Sequence, residues 1–439
     1  MKALRTSLFV LTISVAASFA QITPDPQILA EVNRIKAVDN HTHVPKVVDP
    51  GARDEEFDAL PCDPLEPSET PAMARPSNPL FLEAWKKLYG YKYNDRDPAH
   101  VQELLVAKRR VASEQGDNFP TWVIDHMGIE YMFANRVAMG RGLNSPRFVW
   151  VPFDDALMFP LDNRAMADNP DRKIFYAREE ALLKKYMSEA SVPTLPGSLE
   201  EYISKVIVPT LERQKKAGAL AIKFEAAYLR SLDFGEAEPD EARKIYSRAV
   251  KETPSRADYI KVQNVLFRQI VREAGRLGLV VHIHTGTGCG GYFDLPGSNP
   301  GLLDSVLNDA SVRGTKIVIV HGGSGPYTKV ATFLLGKPNV YADFSEQDAL
   351  LSVRAMSEVI RDWLETYPEK VMFGTDLAPG DDEIGWPEIG YANMTTGREG
   401  LALALTGMMN DGELTRDEAL KLARMVLREN ALKLYHLAP

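Results

Sequence analysis

Lys316-Ile317-Val318-Ile319-Val320-His321-Gly322-Gly323 is a short β-branched run that stops abruptly on a histidine and two glycines. A strand buried on both faces of a parallel sheet is written in this way, as a nearly continuous apolar run. The glycines after it mark the turn into a loop. The same pattern recurs in Val280-Val281-His282-Ile283-His284, which runs into Thr285-Gly286, and in Val371-Met372-Phe373-Gly374-Thr375-Asp376. Working outward from these three, further candidate strands fall at 37–39, 129–133, 148–153, 220–224 and 340–344. That makes eight with those at 280–284, 316–320 and 371–374, the number a closed parallel barrel requires. Helical periodicity separates them, clearest over 99–112 and 258–277, the second stopping at Gly278. A third amphipathic stretch, 416–435, opens with Thr415 and Glu418 in capping-box spacing. The expected fold is therefore α/β, a (β/α)8 TIM barrel.

Two segments break the rhythm. Residues 45–98 are rich in Pro, Asp and Glu and carry Phe57, Phe81, Trp85, Tyr89, Tyr91 and Tyr93. They read as a long insertion after strand 1, with an interdomain linker as the alternative. A second insertion, after strand 3, is expected over 155–198. Residues 1–20 read as a cleavable export leader: Lys2 and Arg5, an apolar stretch, then Ser18-Phe19-Ala20 before Gln21. The stretch is too short to span a bilayer. The barrel then occupies 21–439, and the protein is expected to be exported, periplasmic or secreted, with no membrane span after cleavage.

The formal charge is −9 over 439 residues, with 45% hydrophobic and 25% charged residues, which suits a globular chain. No basic run or stripe is present, so nucleic acid is not an expected partner. A small-molecule substrate is expected, and association of further copies of the chain is left open. Cys62 and Cys289 fall in loops after strands 1 and 5, on the same barrel face, in a compartment that permits oxidation. They could bridge across the mouth, or Cys289 could be a small loop residue between glycines.

His41-Thr42-His43 follows strand 1 directly. Residues two apart in a strand face the same side, so two imidazoles there can hold one metal. The chain has only 8 histidines. His284, His321 and Asp376 also end candidate strands, at the face where barrel enzymes build their sites. Imidazole and carboxylate together suit Zn, Fe or Mn. A bound metal would acidify water, Asp376 could take its proton, and His321 could polarise a carbonyl. His282 reads as a lower-layer barrel residue, His126 as structural, His100 and His436 as solvated.

In Asp39-Asn40-His41-Thr42-His43, His284-Thr285-Gly286, His321-Gly322-Gly323, Phe373-Gly374-Thr375-Asp376 and the closing 430–435 segment, the chain resembles the amidohydrolase superfamily. The likeness is to its amidohydrolase-related (amidohydrolase 2) group, which includes aminocarboxymuconate semialdehyde decarboxylase. It extends to the amidohydrolase domain fused to glutamine-synthetase-like proteins. The resemblance covers 37–437 and is strongest after Leu220. It implies a divalent metal, most readily Zn, held by His41, His43, His284 and Asp376, with His321 and Asp376 catalytic. It also implies a second metal if Lys223 on strand 4 is carbamylated as a bridge, with Glu225 as a further candidate bridge. The implied activity is hydrolysis of a C–N or C–O bond (amide, lactone or ester), with a non-oxidative decarboxylase as the alternative. A non-catalytic binder should have lost part of this set, and the chain keeps all five residues. A sugar-acid isomerase on the same fold is not separated by the ligands. Arg230, Glu346 and Arg136, just beyond strand ends, are candidate substrate contacts.

Overall fold

A computed structural model of the protein describes residues 23–438 except 50, 67 and 237. The leader expected over 1–20 lies outside the described residues. Among the described residues no helix is long and apolar enough to cross a membrane.

Eight strands form where the apolar runs lie: β1 Ala37–Thr42, β2 Ile129–Asn135, β3 Phe148–Val151, β4 Ala221–Phe224, β5 Val280–His284, β6 Ile317–Val320, β7 Val340–Asp343 and β8 Val371–Met372. All neighbours pair in parallel, β1 to β3 in one ladder and β4 to β8 in another. Backbone hydrogen bonds join the two ladders at both seams. Lys223 N–H donates to Pro152 C=O at 2.8 Å and Asp154 N–H to Lys223 C=O at 3.0 Å. At the other seam Asn40 N–H donates to Phe373 C=O at 2.9 Å, and Asp376 N–H to His41 C=O at 2.9 Å. The result is a (β/α)8 barrel. β3 stops short of Phe153, which meets Lys223 across the seam as an isolated parallel bridge, and β8 stops short of Gly374.

The helices at 99–112 and 258–277 form as Pro98–Gln115 and Arg256–Arg276. The C-terminal stretch is broken into Arg416–Arg424, a wider turn at Met425–Glu429, and Asn430–Tyr435. Its capping box is present: Thr415 N–H donates to Glu418 Oε2 at 2.8 Å. Tyr435, with Ala431, Leu432 and Leu434, packs against the inward-facing Val38, Phe133, Val318 and Met372, filling the barrel beneath the site. His282 belongs to this lower layer, its Nε2 2.6 Å from the Tyr435 hydroxyl.

The segment after β1 is docked on the barrel. Its helix Pro79–Tyr89 begins with Asn78 accepting Leu80 N–H and ends on left-handed Gly90. Phe81, Trp85, Leu88 and Tyr89 bury their faces with Ile384 and Ala392 of the segment after β8. Trp85 Nε1 donates to Glu383 C=O at 3.0 Å. The same segment is also fastened by Cys62–Cys289, a disulfide with Cα atoms 6.0 Å apart joining residues 227 positions apart in sequence. The bridge the sequence left open is thus formed. Residues 155–198 carry a short 3-10 turn, Asp155–Met158, and the helix Pro170–Glu189.

A cross-link closing so long a loop removes much conformational freedom from the unfolded chain. Replacing both cysteines by serine is expected to lower unfolding free energy by about 2–5 kcal/mol, read from denaturant midpoints. An unchanged midpoint in the double variant would contradict this.

Candidate metal centre

His41 lies near the end of β1 and His43 just past it. His41 Nε2 lies 3.2 Å and His43 Nε2 3.4 Å from the same oxygen, Asp376 Oδ1. The three donor atoms lie within 4.8 Å of one another. Ligands about 2.1 Å from a tetrahedral ion stand about 3.4 Å apart, so this spacing fits a divalent metal. Asp376 Oδ1 is buried and has no hydrogen-bond partner. A buried carboxylate oxygen without a donor is costly, and a cation removes that cost.

Local structure holds this arrangement. Asp376 has φ 51°, a left-handed conformation that costs a non-glycine residue on the order of 1–3 kcal/mol. Its own N–H is tied to His41, and the preceding Thr375 donates N–H (3.0 Å) and Oγ1–H (2.7 Å) to buried Asp39. The Asn135 amide meets His41 Nδ1 at 2.8 Å and donates to Thr42 C=O at 3.0 Å, fixing the ring. A polar partner behind a ligating imidazole fixes the plane of its ring.

On the β4 side, Lys223 is fully buried with Nζ 3.1 Å from His41 Nε2 and 3.7 Å from Glu225 Oε1. Asp58, from the segment after β1, places Oδ2 3.2 Å from His43 Nδ1, off the line of a good hydrogen bond. His43, Asp58 and Glu225 form a second group of potential metal donors.

His284 and His321 sit together one step away. Their Nδ1 and Nε2 are 3.1 Å apart, and His284 Nε2 meets Thr287 C=O at 2.8 Å. The four-ligand set expected from the sequence is therefore drawn as three converging donors, with His284 turned toward His321. β5 ends there, and the Thr287 carbonyl holds the ring by its far nitrogen. His321 lies with its ring 5.1 Å from that of His41, and its φ of 62° is accommodated by Gly322 behind it. A Cβ on Gly322 would lie 1.9 Å from the Trp363 ring, so only glycine fits. His321 N–H donates to Asp343 Oδ1 at 3.1 Å, and Ser345 Oγ is 2.9 Å from its Nδ1.

With protein groups alone, burial and the Lys223 charge drive His41 well below its ordinary value, so the ring is neutral and has a lone pair to give. Burial pulls His321 down to about 4. Burial would lower His43 too, but Asp58 and Asp376 outweigh it and hold it up at about 10. Burial would raise Asp376, yet His321, His41 and His43 keep the carboxyl well below its usual range.

A cavity of about 540 Å³ opens above these groups. His43, Asp376, His284 and His321 line it, with Glu225 and Tyr228 from the β4 end and Phe57, Asp58 and Leu60 from the first insertion. The three candidate substrate contacts do not reach it. Arg230 is spent on Gln263, Asn264 and the carbonyls of Ser231 and Asp233. Arg136 is clamped bidentately on Asp54 and on Val44 C=O. Glu346 accepts from Thr287 Oγ1 and Ser324 Oγ at 2.8 and 2.6 Å, and burial followed by the nearby Asp376 pushes it up to about 8. All three lie just past strand ends, but their buried neighbours claim them. Asp58 and Tyr228 were not singled out from sequence, since neither sits in a spacing pattern with the histidines.

A family model described as Amidohydrolase matches residues 212–437, just over half of the chain. Over 158 residues the chain is 30% identical to protein fluG of Emericella nidulans, an alignment covering 36% of this chain. The chain spans only 17% of that relative's length. Among solved structures it superposes on a Lactobacillus casei protein assigned as a metal-dependent hydrolase, with TM-score 0.60 and 14% identity over 94% of this chain and 98% of the other. It also superposes on glucuronate isomerase of Caulobacter crescentus, with TM-score 0.59 and 13% identity over 95% and 96% of the two chains. Uronate isomerase of Thermotoga maritima gives TM-score 0.54 and 12% identity over 93% and 96%. These identities speak to the barrel alone.

Substituting His41 by alanine is expected to reduce bound metal and activity together, with metal content read by elemental analysis of the purified protein. A variant that keeps full metal content and full activity would refute the role of His41.

Proposed function

The chain belongs to the amidohydrolase family, and on that membership and the geometry of its site we propose that it is a metal-dependent hydrolase cleaving a C–N or C–O bond, in an amide, lactone or ester, of a small molecule. The observation that carries this reading is the unpartnered Asp376 Oδ1 held 3.2 and 3.4 Å from two imidazole nitrogens in a buried cavity wall. His41, His43 and Asp376 would hold a divalent ion, zinc being the best match to this donor set. Such an ion supplies a Lewis acid and acidifies water toward neutrality.

The chain's own groups do the rest. Asp376, kept ionised by its histidine neighbours, has an oxygen placed to take a proton from water and return it to the leaving nitrogen or oxygen. His321 is neutral at ordinary pH; its Nδ1 faces the Ser345 carbonyl and so carries the proton, which leaves the Nε2 lone pair toward the cavity to accept a hydrogen bond or a proton from a reacting N–H or O–H. The first insertion lines the cavity with the apolar side chains of Phe57 and Leu60.

A second reading, with two metals, draws on one observation: His284 Nδ1 and His321 Nε2 stand 3.1 Å apart, a ligand spacing, while Lys223 Nζ lies beside His41. A carbamylated Lys223 would then join the two positions. Export through cleavage after Ala20 is part of the proposal, and the Cys62–Cys289 disulfide supports an oxidising compartment.

The test of reaction class is a screen of amides, esters and lactones with metal-loaded and chelated protein. Metal-dependent hydrolysis is expected. Release of CO2 from carboxylic acids, or aldose–ketose isomerisation, without any hydrolysis would overturn it. His321→Ala is expected to lose at least a hundredfold in turnover while keeping its metal if one ion is used. Loss of one of two metal equivalents, by elemental analysis, would favour the two-metal reading.

A further inference from the structure

The two ring nitrogens of His43 face two different carboxylates. Nε2 stands 3.4 Å from Asp376 Oδ1, and Nδ1 stands 3.2 Å from Asp58 Oδ2. Asp376 shares the metal position with His43, whereas Asp58 stands behind the ring. An ionised carboxylate can only accept, so Asp58 favours the imidazole with its proton on Nδ1. That form leaves the lone pair on Nε2, the nitrogen beside Asp376. A neutral imidazole has one lone pair to give, so the nitrogen that keeps the proton decides where the ring can bind a cation. Glu225 is the other acid within 4.8 Å of this pair, and its Oε1 lies 3.7 Å from Lys223 Nζ. Phe153 flanks the His43 ring, with centroids 6.1 Å apart and planes inclined by 27°.

Asp58 comes from the first insertion, which among its described residues has no helix or strand before Ala72. Such a segment delivers a carboxylate to one atom only if it is held on both sides of it. Upstream, the fully buried Arg136 grips both oxygens of Asp54 at 2.8 and 3.1 Å, and Val137 N–H donates to Glu56 C=O at 3.0 Å. Downstream, Ala59 and Leu60 are buried in the main core, and Cys62 is bridged to Cys289. Leu60 N–H also donates to Asp58 Oδ1 at 3.0 Å. With that oxygen taken, Oδ2 is the one turned to His43. The buried Arg136, which reaches no substrate, thus has a use in fixing the stretch that carries Asp58.

We propose that Asp58 is a positioning residue for the metal ligand His43, and that through it the first insertion sets how tightly the divalent ion is held. The inference rests on the reading of His41, His43 and Asp376 as the metal site. A carboxylate behind a ligating imidazole typically changes metal affinity by about 10- to 100-fold.

The experiment measures zinc affinity and stoichiometry by competition with a chromophoric chelator, alongside thermal unfolding of the zinc-free proteins. Asp58→Asn is expected to bind zinc about 10- to 100-fold more weakly, at unchanged stoichiometry and with the zinc-free fold intact. Asp58→Glu restores the carboxylate and should recover part of the loss. Glu55→Gln removes an exposed charge three residues earlier and should bind zinc as the wild type does. An equal loss in Glu55→Gln would trace the effect to net charge and overturn the proposal. Wild-type affinity in Asp58→Asn, or collapse of its zinc-free fold, overturns it too. So does loss of one zinc equivalent with the rest bound at full affinity, which would give Asp58, His43 and Glu225 an ion of their own. Wild-type protein that takes up no zinc contradicts the metal centre and this inference with it. The expected fall in affinity, in a protein that hydrolyses no amide, ester or lactone, would sink the hydrolase reading and leave the role of Asp58 standing.

Discussion

Thr375 donates its backbone N–H and its hydroxyl to the buried carboxylate of Asp39, and Asp376 donates its own N–H to His41 C=O. These bonds cross the seam where β8 meets β1 and closes the barrel. They hold Asp376 in a left-handed conformation that it would not choose alone. Everything at the site follows from that constraint. Closing the seam brings a carboxylate from residue 376 against two imidazoles from residues 41 and 43, and one oxygen is left without a donor. Burial and the Lys223 charge keep His41 neutral, and the neighbouring histidines keep Asp376 ionised against burial, the forms in which each can bind a cation.

Beneath the site runs a polar layer that fixes it from below. The Tyr435 hydroxyl lies 2.6 Å from His282 Nε2 and is hydrogen-bonded to Asn40, whose amide donates to Asp343 Oδ2 at 2.7 Å. Asp343 accepts the His321 N–H. The last helix, the first strand and two later strands are thereby connected to one catalytic candidate. Each link of this chain is made, and His282 Nδ1 at its end is left without a partner among the described residues. Above the site the first insertion is fastened at two points, by Trp85 packing beside Glu383 and by the disulfide to Cys289. It brings Asp58 to His43 and Phe57, Leu60 and Asp63 to the cavity.

Strand positions were legible because parallel barrel strands are apolar on both faces, as in residues 317–320, and because polar residues cluster where those runs end. His41, His43, His321 and Asp376 could be found from that rule and from spacing. The direction of a side chain could not. His284 turns toward His321 because the Thr287 carbonyl takes its far nitrogen, a contact set by the local turn. Arg136 and Arg230 occupy positions suited to substrate, yet Asp54 and the pair Gln263 and Asn264 claim them, from residues 82, 33 and 34 positions away. Asp58 lies in a segment with no periodicity, so nothing in its spacing distinguished it from Asp54 or Asp63. The buried partners Asp39 and Asn40 stood within a quoted motif, but their roles need the facing residues Thr375 and Asp343 to be seen.

The central claim is that one divalent ion is held by His41, His43 and Asp376. X-ray absorption spectroscopy of the zinc-loaded protein tests it most directly, since it reads the ligand set at the metal itself. The account predicts a first shell of nitrogen and oxygen only, at about 2.0–2.2 Å, with the multiple-scattering signature of at least two imidazoles. The imidazole signal should fall to one in His43→Ala. Sulfur in the first shell, or an imidazole count unchanged by that substitution, would contradict it.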